Sequence, residues 1–357
     1  MVSPLQNSMA ASSITLTVSY LVLKTHRIAL MKKIRKIMAG LLLFTALLLA
    51  AGIIYITTAL PDIPAPEIAL EATPEMLERG EYLANNVMGC TECHSQRDWS
   101  KFTGPVKPAT HGIGGEKWGR ELGLPGEVYA PNITSYHLAD WTDGEIYRAI
   151  TAGVSKDGSP LFPVMPYANY GSLAKEDIYA VIAYLRTLEA VPSEPHEREL
   201  EVPVNIVVHL MPAAGSHELQ PSDGDIIARG RYMATAASCA DCHTPRENAG
   251  LPFSGGTGFP LKTGGTVYAS NITPHNETGI GRWTEAQFVR TFKQYADSGF
   301  VAYDIKPGQF NSYMPWTCYA GIKEEDLKAI YAYLMSVEPV ENRVTKFETD
   351  QPVALSP

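Results

Sequence analysis

Cysteine is scarce in this chain, five among 357 residues, and four of the five fall in two short pairs. The pairs lie far apart, whereas a zinc site wants a second pair within roughly 12 to 20 residues of the first. No nucleotide-binding glycine fingerprint or hydride-transfer motif is present, which argues against a catalytic subunit in its own right. A cationic excess is missing too: 29 Lys and Arg against 38 Asp and Glu leave a net charge of −9. That balance argues against nucleic acid as a partner and suits a soluble exported domain whose docking partner is basic.

What is there begins with the pairs themselves. They read Cys90-Thr91-Glu92-Cys93-His94 and Cys239-Ala240-Asp241-Cys242-His243, and Cys-x-x-Cys-His is the covalent attachment signal of a c-type haem. In a helical turn, cysteines three apart lie on one face, where both thiols can add to the two vinyl groups of one porphyrin. The next residue, His94 or His243, then reaches the iron from the proximal side. Two covalently attached haems are expected. A thioredoxin-type pair would need a preceding strand, which neither site has. Cys318 is left over and reads as a buried, unreactive thiol, with an intermolecular disulfide as the alternative.

Charge vanishes from Ile37 to Leu60, directly after the cationic cluster Lys32, Lys33, Arg35 and Lys36. A helix of this length, about 36 Å, crosses a bilayer. The cationic flank stays inside, so everything after Pro61 is exported. A cleaved signal peptide normally has an apolar stretch of about 7 to 15 residues ending at a small-x-small site. This stretch is longer, so an uncleaved anchor is the expectation. Met31-Lys32-Lys33-Ile34-Arg35-Lys36 is a normal beginning for such an element and marks Met31 as an alternative start.

The remainder is a tandem repeat. Arg79-Gly80-Glu81-Tyr82 precedes the first haem site and Arg229-Gly230-Arg231-Tyr232 the second. Downstream, Asn132-Ile133-Thr134 answers to Asn271-Ile272-Thr273, Trp141-Thr142 to Trp283-Thr284, Met165-Pro166-Tyr167 to Met314-Pro315-Trp316, and Ala183-Tyr184-Leu185 to Ala332-Tyr333-Leu334. The order is shared, but not every loop length. Thr73-Pro74 predicts a capped helix start, and Ser222 to Asp225 a capping box in the corresponding place; Thr142 with Glu145 and Thr284 with Gln287 predict two more boxes. Apolar stripes at Ile178, Val181, Ile182 and Leu185, and at Leu327, Ile330, Tyr331 and Leu334, predict closing helices. Each repeat reads as helix, haem site, long loop, helix, methionine loop, helix. The long Gly- and Pro-rich loops imply function or local hairpins.

The expected organisation is all-α: a cytoplasmic segment 1–36, a transmembrane anchor 37–60, a linker 61–73, one domain over 74–192, a linker 193–221, a second domain over 222–345 and a tail 346–357. The apolar patch from Val204 to Met211 is expected to pack against a domain or a partner.

For the distal iron ligands, Met165 and Met314 are the best candidates, because each precedes a proline in equivalent irregular stretches. Met88, Met233 and Met335 fall on helices instead, and His111, His137 and His275 occupy polar loops as solvated or loop-bonding residues. A thioether opposite an imidazole raises the reduction potential and fills the sixth position, leaving one-electron transfer as the chemistry. Asn132 and Asn271, with Thr134 and Thr273, suit either haem propionates or Asx and ST turns. Gly80 and Gly230 permit close crossing of the first and last helices, with Tyr82 and Tyr232 packing there.

These motifs resemble class I cytochrome c domains, specifically those of the membrane-bound cytochrome c subunits of bacterial alcohol, gluconate and related dehydrogenases. The resemblance covers roughly residues 74–345, and Gly158 to Tyr167 is its most specific stretch. It implies two tandem cytochrome c-like domains in the periplasm, held to the bacterial inner membrane by one helix. They would pass electrons from a dehydrogenase towards a cytochrome, quinone or terminal oxidase, without a catalytic residue of their own. Those subunits typically carry three haem domains and this chain has two, so a stand-alone dihaem carrier is an equal reading. A dihaem peroxidase or small-molecule oxidoreductase with one open iron, and a dihaem subunit of a cytochrome oxidase, are the alternatives.

Overall fold

The computed structural model describes residues 4–222, 224–296 and 299–349. Residues 1–3 of the expected cytoplasmic segment, Asp223 and residues 350–357 of the expected tail lie outside the described residues. Contacts divide the chain into two units, Met1–Leu60 and Pro61–Pro357.

The first unit is one helix, α1 (Pro4–Ala59). Its stretch Leu23–Ala59 is long and apolar enough to cross a membrane. Thr45, Thr57 and Thr58 donate their hydroxyls to the carbonyls of Leu41, Ile53 and Ile54 at 2.9, 2.9 and 2.7 Å. Those polar groups are therefore satisfied within the helix, as hydrocarbon surroundings require.

In the second unit the first repeat runs α2 (Pro74–Tyr82), α3 (Cys90–Cys93), β1 (Lys117–Trp118), β2 (Gly126–Tyr129), α4 (Ser135–Leu138), α5 (Asp143–Ala152), α6 (Tyr167–Tyr170) and α7 (Lys175–Leu185). The connecting stretch adds β3 (Glu199–Leu200) and α8 (Val204–Val207). The second repeat follows with α9 (Ile226–Ala236), α10 (Cys239–His243), β4 (Gly258–Pro260), β5 (Thr266–Tyr268), α11 (Glu285–Lys293), α12 (Trp316–Tyr319) and α13 (Glu324–Ser336), and β6 (Phe347–Glu348) ends the described chain.

Three of the four expected caps form. Thr73 accepts from the Met76 amide, and complete capping boxes open α5 at Thr142–Glu145 and α11 at Thr284–Gln287. One start differs: α9 is capped by Asp225, which accepts from the Ala228 amide, and not by Ser222. An aspartate directly before the helix supplies the acceptor itself, so no box reaching back to Ser222 is needed.

The all-α expectation takes one correction. The long loops carry two three-stranded antiparallel sheets, β1-β2-β3 and β4-β5-β6. Trp118 pairs with Val128 and Gly258 with Tyr268, and the third strands come from the linker (Gly126 with Leu200) and the tail (Val267 with Phe347). Short hairpins with Val128 and Val267 turned inward fill these long loops, the local-hairpin alternative expected for them.

The opening and closing helices of each repeat cross tightly. A Cβ on Gly80 would overlap the Ala180 carbonyl, and one on Gly230 the Ala329 carbonyl. The stripes of α7 and α13 are buried as expected at Ile178, Val181, Ile182, Leu185, Leu327, Ile330 and Leu334. Cys90 stands eight positions after Tyr82, but Cys239 only seven after Tyr232. The extra residue is absorbed by a π turn over Leu83–Val87, closed by the Met88 amide on the Leu83 carbonyl at 2.7 Å.

Apolar residues from both repeats join in one core. Tyr82 and Tyr232 pack in that core as expected, and in addition they reach across between repeats. Tyr82 donates to Asp326 at 2.6 Å and Tyr232 to Asp177 at 2.7 Å. Each aspartate, 1% exposed, is also held by the arginine of its own repeat: Arg79 makes two 2.8 Å bonds to Asp177, and Arg229 one of 2.7 Å to Asp326. Each phenol in turn accepts a backbone amide, Lys323 to Tyr82 at 3.2 Å and Ala174 to Tyr232 at 3.0 Å. Burial and the neighbouring carboxylate push both phenols well above their ordinary value, so they stay protonated and donate.

Tyr82→Phe removes a donor from a buried carboxylate and is expected to cost about 1–3 kcal/mol. The loss is read by urea unfolding; because Arg79 holds Asp177 and also lies over the Tyr82 ring, the double variant with Tyr232→Phe should depart from the sum of the two.

Candidate haem sites

Each attachment helix begins at a break in the chain. Gly89 and Ser238 stand in the left-handed region, at φ 66° and 53°, and turn the chain from the opening helix into α3 and α10. No disulfide joins the four pair cysteines. Burial pushes Cys90 and Cys239 up to about 12 and Cys93 and Cys242 up to about 11. Cys93 and Cys242 still show surface to solvent, so part of each side chain is crowded by protein while part faces out.

The histidines are oriented identically. Nδ1 of His94 lies 2.7 Å from the Pro131 carbonyl, and Nδ1 of His243 lies 2.7 Å from the Ser270 carbonyl. A carbonyl can only accept, so each ring donates from Nδ1 and leaves the Nε2 lone pair for a metal. Burial lowers the pKa of both rings, which favours that neutral form.

Sequence reasoning missed the glycines that hold this geometry. The Gly114 amide donates to the His94 carbonyl at 2.8 Å and the Gly255 amide to that of His243 at 2.7 Å. Both glycines have φ +75°, and a Cβ on either would come within 2.5 Å of the carbonyl oxygen of Ala130 or Ala269. The available signal was a Gly-Gly pair in both long loops, Gly114-Gly115 and Gly255-Gly256.

Asn132 and Asn271 resolve in favour of turns. Each Oδ1 accepts the amide and hydroxyl of the threonine two residues on, Thr134 or Thr273. Each Nδ2 donates to the chain beyond the closing helix, at Val191 and Val340, both 2.8 Å. These asparagines fasten the histidine-bearing loop to the end of the repeat.

Met165 and Met314 are partly buried. Each carbonyl accepts the amide two residues on, Tyr167 or Trp316, at 2.8 Å. The short helix that follows is tied to the start of the attachment helix in its own repeat: Tyr170 donates to the Met88 carbonyl at 3.0 Å, and Tyr319 to that of Ala237 at 2.6 Å. Neither tyrosine was singled out from sequence, although both stand five residues after the methionine. Met88 and Met233 are buried in the core as expected, and His275 accepts from the Thr278 amide and hydroxyl, a loop-bonding role.

The neighbours of those tyrosines cross between the repeats. Asn169 donates to Ser238 Oγ at 3.1 Å and Asp241 Oδ2 at 3.0 Å, on the second attachment helix. Cys318, buried and free, lies 3.2 Å from the Asn85 carbonyl, just before the first. The two attachment helices are therefore adjacent. Both constellations present two thiols, one oriented imidazole and one thioether loop, a donor set that fits a covalently held haem.

Comparison with known proteins agrees with this chemistry. Residues 227–338 match the cytochrome c family. They form a cytochrome c domain. The family implies covalently bound haem c, and in this cytochrome c domain Cys239, Cys242 and His243 are the residues that carry the motif. The cytochrome c subunit of a quinone-dependent alcohol dehydrogenase from Komagataeibacter europaeus is 28% identical over 297 residues, covering 76% of this chain and 59% of its own length. The cytochrome c subunit of a gluconate 2-dehydrogenase from Pantoea cypripedii is 27% identical over 306 residues, covering 80% and 64%. The chain thus spans about three-fifths of these relatives. A diheme cytochrome c-type protein from Cereibacter sphaeroides is 29% identical over 322 residues, covering 86% of this chain and 99% of its own.

Gly255→Ala strains a left-handed position and overlaps backbone, and is expected to destabilise the protein by about 1–3 kcal/mol. It should also lower the haem-to-protein ratio measured by pyridine haemochrome. Full loading with unchanged unfolding would mean that the glycine does not set the histidine.

Proposed function

We propose that this chain is a membrane-anchored dihaem c-type cytochrome that relays single electrons between a periplasmic or membrane dehydrogenase and the respiratory chain. Residues 74–192 and 222–345 are its two cytochrome c-like domains. Cys90 and Cys93 hold one haem and Cys239 and Cys242 the other; His94 and His243 are the proximal ligands, Met165 and Met314 the distal ones. The observation that carries this reading is the repetition of one geometry: an imidazole turned by a backbone carbonyl, with a methionine loop pinned by a tyrosine to the entrance of the attachment helix.

Each residue has a definite part. The thiols fix the porphyrin edge, and the Pro131 and Ser270 carbonyls set the rings and raise their basicity towards iron. Tyr170 and Tyr319 hold the methionine loops in register with the attachment helices. The haem supplies reversible one-electron chemistry at iron, with the thioether favouring the reduced state. The relatives named as dehydrogenase subunits support a dehydrogenase donor, with a cytochrome or oxidase as acceptor. The apolar, internally satisfied helix α1 supports anchoring in the bacterial inner membrane with the haem domains in the periplasm.

Low-temperature electron paramagnetic resonance of the fully oxidised protein is expected to show two low-spin ferric signals, one of which changes in Met165→Ala and the other in Met314→Ala. A substantial high-spin signal from intact protein would indicate an open iron and favour an oxidoreductase with its own substrate.

A further inference from the structure

The two methionine loops are not held in the same way. The Met165 loop is braced by its own repeat and the linker, through the Val154–Pro160 bridge, the Leu161 amide on the Gly153 carbonyl at 2.7 Å, and Arg198 on the Pro160 carbonyl. The Met314 loop has its own-repeat ties as well, from the Gly308 amide to the Thr263 carbonyl at 2.8 Å and from Tyr313 to the Pro260 carbonyl at 3.0 Å. In addition, a turn of the first repeat, residues 98–104, is inserted against it.

Thr103 is the tip of that turn. It is 0% exposed and has φ 59°, a strained conformation for a β-branched residue. Its hydroxyl donates to the Met314 carbonyl at 2.7 Å, and its amide donates to Asn311 Oδ1 at 2.8 Å. Asn311, 1% exposed, spends its remaining capacity on the same contact: Oδ1 also accepts the Ser312 amide at 2.7 Å, and Nδ2 donates to the Trp99 and Lys101 carbonyls at 3.3 and 3.2 Å. Around this centre run the Phe102 amide to the Tyr303 carbonyl at 2.9 Å, the Ile305 amide to the Ser100 carbonyl at 2.7 Å, and the Lys101–Asp304 ion pair at 2.8 Å. Arg97, three residues after His94, donates to the Thr103 carbonyl at 2.6 Å. A continuous bonded path thus leads from the first histidine segment to the second methionine.

We propose that Thr103 and Asn311 are positioning residues for Met314, so that the distal ligand of the second haem is set by the first repeat, whereas Met165 is set by its own repeat and the linker. The proposal rests on Met314 being an iron ligand. A ligand on an irregular loop holds its bond to the metal only as well as its supporting shell fixes it. Buried, fully used groups supply that shell, Thr103 from outside the domain and Asn311, which holds the Thr103 turn, from within it. The reduction potential of the second haem then depends on this contact of the Met314 loop with the first repeat.

The test uses the full-length, haem-loaded protein and two readouts, a potentiometric titration and the absorbance band of the thioether–ferric iron bond. Thr103→Val, which keeps the shape and loses the hydroxyl, is expected to move one of the two redox waves to lower potential and to weaken the band. Thr103→Ser should restore both. Lys101→Ala, which removes only the exposed ion pair, should leave both waves in place. Should Thr103→Val accumulate poorly, Thr103→Ala removes the same hydroxyl with less bulk at the strained position. If Met314→Ala alters one wave while the Thr103 variants change neither wave nor band, or shift both waves equally, the positioning role is overturned. If Met314→Ala itself changes nothing, the ligand assignment beneath it fails instead.

Discussion

Two buried carboxylates, Asp177 and Asp326, constrain everything else in the second unit of the chain. A charge removed from water is tolerated only when several donors surround it, and breaking such a group costs several kcal/mol. Here the donors come from both repeats: an arginine from the same repeat and a tyrosine from the other. Neither aspartate is satisfied by its own repeat alone. The repeats are therefore held in one reciprocal arrangement, which explains why residues 61–357 behave as one compact unit with a shared core.

That arrangement decides which surfaces of the repeats meet. The helices α6 and α12 each end with two adjacent residues of opposite duty. Tyr170 and Tyr319 brace the attachment helix of their own repeat, and Asn169 and Cys318 touch that of the other. A relay needs its two redox groups near each other and rigidly placed, because any motion between them changes the transfer rate. Side chains that fasten both attachment helices to one block of structure would meet that need in the proposed relay.

Much of the site was legible in the chain. Cysteine and histidine spacing within five residues is a local property, as are the caps at Thr73, Thr142 and Thr284 and the stripes of α7 and α13. The close helix crossings at Gly80 and Gly230 were equally visible, because a repeated glycine beside apolar stripes has few other uses. The hairpins were harder: their strands are two to four residues long, and each sheet is completed by a segment from the linker or the tail. The part played by Asn132 and Asn271 stayed open in sequence because the same amide chemistry serves a turn or a propionate. Only the positions of Val191 and Val340 decide between them.

The sequence by itself determined the chemistry: thiols and imidazole set by consecutive residues, a methionine loop, a repeat of the whole pattern, and an apolar helix ahead of it. These depend on neighbours along the chain, so periodicity and motif spacing are enough to reveal them. The tertiary structure alone decided that Tyr82 meets an aspartate 244 positions away, that Tyr232 meets one 55 positions away, and that Thr103 reaches Met314. Those bonds form only after the chain has folded over a common core, and no local pattern records which donor will face which carboxylate.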